Sequence, residues 1–272
     1  MKGINSMKQF IKFLQHPLLK ILASPLAYIG FGLITGVAMT SQIQWLNIVL
    51  LYLIVASAHL IDHFFFLKYS QKRSNATPMF LLIFCEAIMI ISSVVFFMQQ
   101  HLIISLLLLM YLIFIHLQWF PYKMTGTFYH YLLNVFFHAF ILNVIAFYTQ
   151  TNGITPSILI ALIPVVLFVA GNQLEITRLK QLIVGAKISF WLKASTIFSV
   201  IFSFIALGVA FYLALPSSTF YIVQIILVFI TTVSILPTLV VTKQSQQAQN
   251  KINYYSSISL IFSILYGLSY IF

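Results

Sequence analysis

Nine apolar runs follow one another along this sequence, and hardly a charged residue interrupts them. A membrane-spanning helix needs about 20 mostly apolar residues, and most of the runs have this length. The 272 residues are 61% hydrophobic and 6% charged, with a mean hydropathy of +1.04, whereas soluble domains carry about 25% charged residues. The sequence therefore predicts an all-α, polytopic integral membrane protein of about nine transmembrane helices, with residues 1–272 forming one transmembrane domain.

The predicted spans follow a short N-terminal segment over residues 1–24. They cover residues 25–40, 45–67, 79–98, 102–120, 128–148, 157–174, 188–215, 220–241 and 254–272. The longest polar connections between them are residues 68–78, 175–187 and 242–253.

The basic residues occupy the N-terminal segment and every second connection. They are Lys2, Lys8, Lys12 and Lys20, then Lys68, Lys72 and Arg73, then Lys123, then Arg178, Lys180 and Lys187 with Lys193 at the start of span seven, and finally Lys243 and Lys251. Cytoplasmic loops of membrane proteins are enriched in lysine and arginine. We therefore expect a multi-pass protein of the cell membrane, with its N-terminus in the cytoplasm and its C-terminus outside. Topology also explains the net charge of +11 better than nucleic-acid binding does.

The chain has only three acidic residues, Asp62, Glu86 and Glu175. Ionisable side chains within a membrane are costly, which makes each of them a candidate functional residue. We predict that Asp62 and Glu175 lie at the cytoplasmic ends of spans two and six, each beside a basic connection. Glu86 lies within span three, where we expect it to pair with a histidine or another polar group, or to be protonated.

Carboxylates beside basic loops have two interpretations. In the first, the acids hold Mg²⁺ and the cations bind the remaining oxygens of a diphosphate. In the second, each carboxylate pairs with a nearby basic side chain and has a structural role only. His59 and His63 share a helix face at a spacing that suits a transition metal, although no third ligand is evident.

Six short segments form an ordered series along almost the whole chain. They are HPLLKILASP at 16–25 with Gly30, LIDHFFFLKY at 60–69, KRSN at 72–75 with Pro78, WFPYK at 119–123 with Gly126, YTQT at 148–151 and NQLEITRLK at 172–180. This series resembles the UbiA superfamily of intramembrane prenyltransferases. Within that superfamily it is most similar to the MenA type, which prenylates dihydroxynaphthoate in menaquinone biosynthesis.

The resemblance implies transfer of an isoprenoid from a prenyl diphosphate to a quinone-precursor-type or other lipophilic acceptor, with Mg²⁺ as the cofactor. It implies that Asp62 and Glu175 are the catalytic acids. The residues implied as metal ligands are Asp62, His63, Asn172 and Glu175, and those implied as diphosphate ligands are Lys68, Lys72, Arg73, Arg178 and Lys180.

The acidic motifs depart from those of the family. The pattern N-D-x-x-D-x-x-x-D becomes Asp62, His63, Phe66 and Ser70, or, shifted by one position, Asp62 with Phe65 and Tyr69. The second pattern, D-x-x-x-D, becomes Glu175 and Leu179. The alternative function is therefore a catalytically impaired UbiA-fold protein that binds isoprenoid or acts as an accessory membrane protein. A transporter component is a third possibility, against which the lack of a visible internal repeat argues.

Overall fold

The computed structural model describes residues 17–71, 79–215 and 221–272, with side chains from residue 24 onward. All regular elements in these ranges are helical. The α-helices are α1 (Pro17–Ala38), α2 (Trp45–Phe65), α3 (Met79–Gln99), α4 (Leu102–Leu117), α5 (Phe128–Val135), α6 (Leu142–Thr151), α7 (Pro156–Ala161), α8 (Ile163–Val184), α9 (Ser195–Ala214), α10 (Tyr221–Ile235) and α11 (Ser245–Ile271). π-Helical turns continue α2 over Phe66–Ser70 and join α5 to α6 over Phe136–Ile141, and 3₁₀ turns lie at Phe190–Leu192 and Leu236–Leu239.

Seven continuous helical segments in these ranges are long and apolar enough to cross a membrane. They are Trp45–Ser70, Met79–Gln99, Phe128–Thr151, Pro156–Val184, Ser195–Ala214, Tyr221–Leu239 and Ser245–Ile271. Each coincides with one of the nine predicted spans, and the shorter apolar helices Ser24–Ala38 and Leu102–Leu117 coincide with the other two. The prediction of an all-helical membrane protein is therefore confirmed.

Three predicted span boundaries are wrong. Span seven is predicted from residue 188, whereas α9 begins at Ser195. The other two differ for one shared reason. Helix α8 continues to Val184 instead of ending at residue 174, and α11 begins at Ser245 instead of residue 254. The predicted polar connections 175–187 and 242–253 are therefore largely helical. Both predicted boundaries lie beside charged residues, but Glu175, Arg178 and Lys251 are paired inside the protein, so the helices continue through them.

The chain forms two compact units. Within the described ranges, the first unit covers residues 28–162, and the second combines residues 17–27 with residues 163–272.

The first unit contains a close approach of α1 to α6. The backbone N–H of Gly32 donates to Oδ1 of Asn143 at 2.9 Å. A Cβ atom on Gly32 would overlap the backbone carbonyl oxygen of Asn143. Small residues let membrane helices pack backbone against backbone in this way, so Gly32 fixes how closely these two helices pack.

The second unit is built around α8 and α11. The rings of Phe168 on α8 and Phe262 on α11 stack with centroids 4.2 Å apart. Helix α11 also buries a row of serines, among which Ser259 accepts a hydrogen bond from Asn172 and Ser263 donates to the carbonyl of Ala27. Hydroxyls that bond to neighbouring groups let a polar helix lie inside a membrane protein.

Candidate functional site

Asp62 lies in the last turn of α2, where the end of α4 supplies two hydrogen-bond donors. Oδ1 of Asp62 accepts from Nε2 of Gln118 at 2.8 Å and from the indole Nε1 of Trp119 at 2.9 Å. Gln118 is almost completely buried, with 1% of its surface exposed. The carboxylate of Asp62 is therefore held by side chains 56 and 57 residues further along the chain.

The network around Asp62 extends to α5. Because Nε2 of Gln118 points at Asp62, its Oε1 faces Nε2 of His130 at 2.8 Å. An amide oxygen only accepts, so we assign the proton of this bond to Nε2 of His130. Three helices of the first unit are thus joined by one chain of hydrogen bonds.

Glu175 lies inside α8 with none of its surface exposed. Arg178, one turn later, donates to both carboxylate oxygens, with Nε 2.9 Å from Oε2 and Nη2 on Oε1. Ser195 and Thr196 at the start of α9 donate one hydroxyl to each oxygen. Nζ of Lys251 on α11 lies 3.4 Å from Oε1. Both oxygens of Glu175 are therefore fully occupied by donors from within the second unit.

The two cations of this cluster also bind backbone carbonyls. Nζ of Lys251 donates to the carbonyls of Thr238 at 2.9 Å and Val240 at 2.7 Å, and Nη1 of Arg178 lies 3.4 Å from that of Thr242. The cluster has two positive charges and one negative charge, and these carbonyl dipoles offset the excess. It fastens α8, α9 and α11 to the segment that follows α10.

The predicted diphosphate ligands lie in different surroundings. Arg178 is buried and bonded to Glu175. Lys180 is partly buried on α8, and Nζ of Lys68 lies 5.5 Å from the centre of the Tyr69 ring. Lys72 and Arg73 lie outside the described residues. The prediction that Arg178 and Lys180 belong to a basic loop is wrong, because both lie on α8.

The predicted metal ligands divide between the two units. Asp62 and His63 belong to the first unit, and Asn172 and Glu175 to the second. Nδ2 of Asn172 donates to Ser259 at 2.8 Å, while its buried Oδ1 accepts no hydrogen bond from the described residues. Over the described ranges, no three histidine, cysteine or acidic side chains form a group that could hold a metal ion. Mg²⁺ would have to displace these donors in order to bind Glu175.

Glu86 pairs with a histidine, which confirms one of the predicted alternatives for this residue. Oε1 of Glu86 on α3 lies 3.0 Å from Nε2 of His116 on α4. Nδ1 of His116 lies 2.9 Å from the carbonyl oxygen of Leu112 in the preceding turn. The third acid of the chain therefore joins α3 to α4.

Sequence analysis missed Gln118 and Trp119 as partners of Asp62, and Lys251 as a partner of Glu175. Gln118 and Trp119 escaped notice because amide and indole groups carry no charge pattern. Lys251 was assigned to a connection, although the surrounding glutamines, alanine and lysine are good helix formers. That propensity is the one signal that could have placed Lys251 on a helix.

An apolar groove of about 780 Å³ lies between α9 and α10. Phe204, Phe211 and Phe229 form its walls, and Thr232 contributes the one side-chain hydroxyl of its lining. A Cβ atom on Gly208 would meet nothing within 4 Å. The groove is therefore open above this glycine.

Comparison of the chain with models of known protein families and with curated proteins finds no match. The similarity to the UbiA superfamily rests on the order of the short motifs alone.

Proposed function

We propose that this chain is a membrane protein of UbiA type that binds an isoprenoid chain and does not catalyse prenyl transfer. The observation that carries the proposal is the environment of Glu175, the sole acid retained from the second motif. Arg178, Ser195, Thr196 and Lys251 donate to both of its oxygens. This carboxylate acts as a structural anchor instead of a metal ligand.

The chemistry of Mg²⁺ supports this assignment. Mg²⁺ requires near-octahedral oxygen ligands and is usually held by one or two carboxylates with substrate phosphates. At Glu175 the metal would have to displace the bidentate guanidinium of Arg178 and two hydroxyls. Displacing these donors would also leave Arg178 buried without a counter-charge, which is strongly unfavourable.

The groove between α9 and α10 supports isoprenoid binding. Its volume of about 780 Å³ lies within the range of about 300–1,000 Å³ that is usual for ligand pockets. Its lining includes Ile225 and Phe229, whose apolar side chains are both exposed. A chain dissolved in the bilayer can enter such a groove without losing hydrogen bonds to water.

The finer topology is part of the proposal. Nine spans, with the N-terminus cytoplasmic and the C-terminus on the outer side of the cell membrane, put all 14 basic residues on one side. The two shorter apolar helices, Ser24–Ala38 and Leu102–Leu117, would complete the nine. Site-directed labelling of single cysteines at Lys123 and Gly153 tests the orientation, because we expect only the second to react from outside the cell.

The proposal is tested with purified protein in lipid nanodiscs. We expect a photoreactive farnesyl probe to label the wild type equally with and without Mg²⁺, and no pyrophosphate to be released from farnesyl diphosphate. Gly208→Leu fills the groove and should reduce labelling about tenfold, whereas Gly208→Ala, whose Cβ meets nothing within 4 Å, serves as the matched control. Equal labelling of both variants would disprove the assigned groove.

The second candidate is a divergent prenyltransferase that uses Mg²⁺, a prenyl diphosphate and a quinone-type acceptor. One observation favours it: Oδ1 of Asn172 is buried, has no donor in the part of the chain that the structure describes, and lies one helical turn before Glu175. A metal ion would satisfy this oxygen. Mg²⁺-dependent pyrophosphate release that Asn172→Ala and Asp62→Asn abolish in folded protein would establish this function and overturn the first proposal.

A further inference from the structure

The Glu86–His116 pair lies on an apolar surface of the first unit. The side chains are 27% and 40% exposed, respectively. Exposed residues within one turn are Ile83 and Ile90 on α3 and Ile113 on α4. Glu86 is the eighth residue of α3, which places it about 10 Å along the helix from Met79. These two polar groups therefore face the hydrocarbon region of the membrane.

The hydrogen-bond acceptors around the His116 ring determine how many protons the ring nitrogens and the Glu86 carboxyl group carry together. The carbonyl of Leu112 can only accept, so Nδ1 of His116 carries a hydrogen. The bond between Nε2 of His116 and Oε1 of Glu86 then requires one proton, on either the imidazole or the carboxyl group. In both forms the other oxygen, Oε2 of Glu86, carries no hydrogen and is a hydrogen-bond acceptor.

Oε2 of Glu86 has no donor within the described part of the chain, since the only bond of this carboxyl group is the one from Oε1 to His116. The hydrocarbon of a bilayer offers no water, and an unsatisfied polar atom there costs several kcal/mol. We infer that Oε2 of Glu86 accepts a hydrogen bond from the hydroxyl group of an apolar alcohol or phenol dissolved in the bilayer. This inference goes beyond the proposed function and does not depend on it.

The surroundings of the pair suit a molecule with an apolar body. The ring of Phe65 at the end of α2 lies 6.0 Å from that of His116, with its plane at 74° to the imidazole. Ile83, Ile90 and Ile113 are the apolar surface that a hydrocarbon chain would contact. Ethers and quinones lack a donor, so the site should reject them while it binds the corresponding alcohols and quinols.

The experiment uses the whole protein in nanodiscs of phosphatidylcholine, which has no hydroxyl group. The probes are a diazirine-bearing farnesol and its methyl ether, and mass spectrometry counts labelled peptides from α3 and α4. We expect the alcohol to label these helices about five to ten times more than the ether does, which corresponds to one hydrogen bond. Competition by farnesol against 4-nonylphenol identifies whether an aliphatic alcohol or a phenol is preferred.

Two variants separate the acceptor from the link between the helices. Glu86→Gln can still donate to Nε2 of His116 and present its carbonyl oxygen outwards, so labelling should stay within about threefold of the wild type. The double variant Glu86→Leu with His116→Leu removes the acceptor without leaving an unpaired partner, and labelling by the alcohol should fall to that by the ether. Thermal unfolding in the same nanodiscs checks that each variant is folded. Equal labelling by the two wild-type probes, absence of labelling, or full labelling of a folded double variant would each overturn the inference.

Discussion

Asp62 and Glu175 are both acids at the positions of the two family-like motifs, yet they differ in burial and in their place on the helix. Asp62 is partly exposed at the end of a helix and accepts from the neutral side chains of Gln118 and Trp119. Glu175 is completely buried in the middle of a helix and accepts from two cations and two hydroxyls. The comparison shows that the position of an acid in a motif does not determine its role. The role of each acid is determined by the hydrogen-bond donors that surround it.

Replacing Glu175 should have the largest effect. Glu175→Gln leaves Arg178 and Lys251 buried without a carboxylate, and we expect the free energy of unfolding to fall by about 3–5 kcal/mol. Unfolding in mixed detergent micelles measures the change, and Ser195→Ala, which removes a single donor, should cost less. If Glu175→Gln proves no more harmful than Asp62→Asn, the contrast between the two acids is wrong.

Lys251→Met should cost less than Glu175→Gln, about 1–3 kcal/mol, because it removes the donor to the carbonyls of Thr238 and Val240. It leaves Glu175 and Arg178 as a balanced pair. Lys243, which is exposed, provides the matched control, and Lys243→Met should leave the unfolding free energy unchanged. A loss as large as that for Glu175→Gln would mean that Lys251 is the main counter-charge.

Asp62→Asn should weaken the two hydrogen bonds from Gln118 and Trp119 by about 1 kcal/mol in total, since hydrogen bonds to a charged acceptor are about twice as strong as neutral ones. The amide oxygen of the asparagine can still accept from Gln118 and Trp119. The fluorescence emission of Trp119, compared in a background where the other tryptophans are phenylalanine, reports whether the indole bond persists. A loss above about 3 kcal/mol would show that Asp62 is as deeply embedded in its network as Glu175.

Glu86→Gln should have the smallest effect, below about 0.5 kcal/mol, because the amide keeps one hydrogen bond to His116. Its control is Glu86→Leu, which leaves Nε2 of His116 without a partner and should cost more. The same micelle titration measures both. If Glu86→Gln costs as much as Glu86→Leu, the pair must be ionic, since only the imidazolium form requires the carboxylate.

The apolar runs of the sequence predict the helices of this protein. The charged residues, however, predict helix ends that differ from those in the structure. Span six was ended before Glu175 because a lone charge usually marks the membrane surface. The structure instead pairs Glu175 with Lys251, which lies 76 residues further along the chain. No local pattern reports a pairing across such a distance, so the ends of α8 and α11 could not be read from hydropathy.

The candidate sites were predictable to a similar extent. The expectation that Glu86 pairs with a histidine followed from the cost of a charge in lipid, and the structure supplies His116. The choice among seven histidines required the packing of α3 against its neighbours. Gln118 and Trp119, being neutral, leave no trace in the charge pattern.

The pairing of Glu175 with Lys251 also constrains how the protein is made. A ribosome adds about 5–20 residues per second, so Lys251 is synthesised about 4–15 seconds after Glu175. Until Lys251 is made, Arg178 is the one charged partner of Glu175 in the nascent chain. The second unit therefore completes its core only when α11 arrives, and a nascent chain arrested before Lys251 should be the form that membrane proteases recognise.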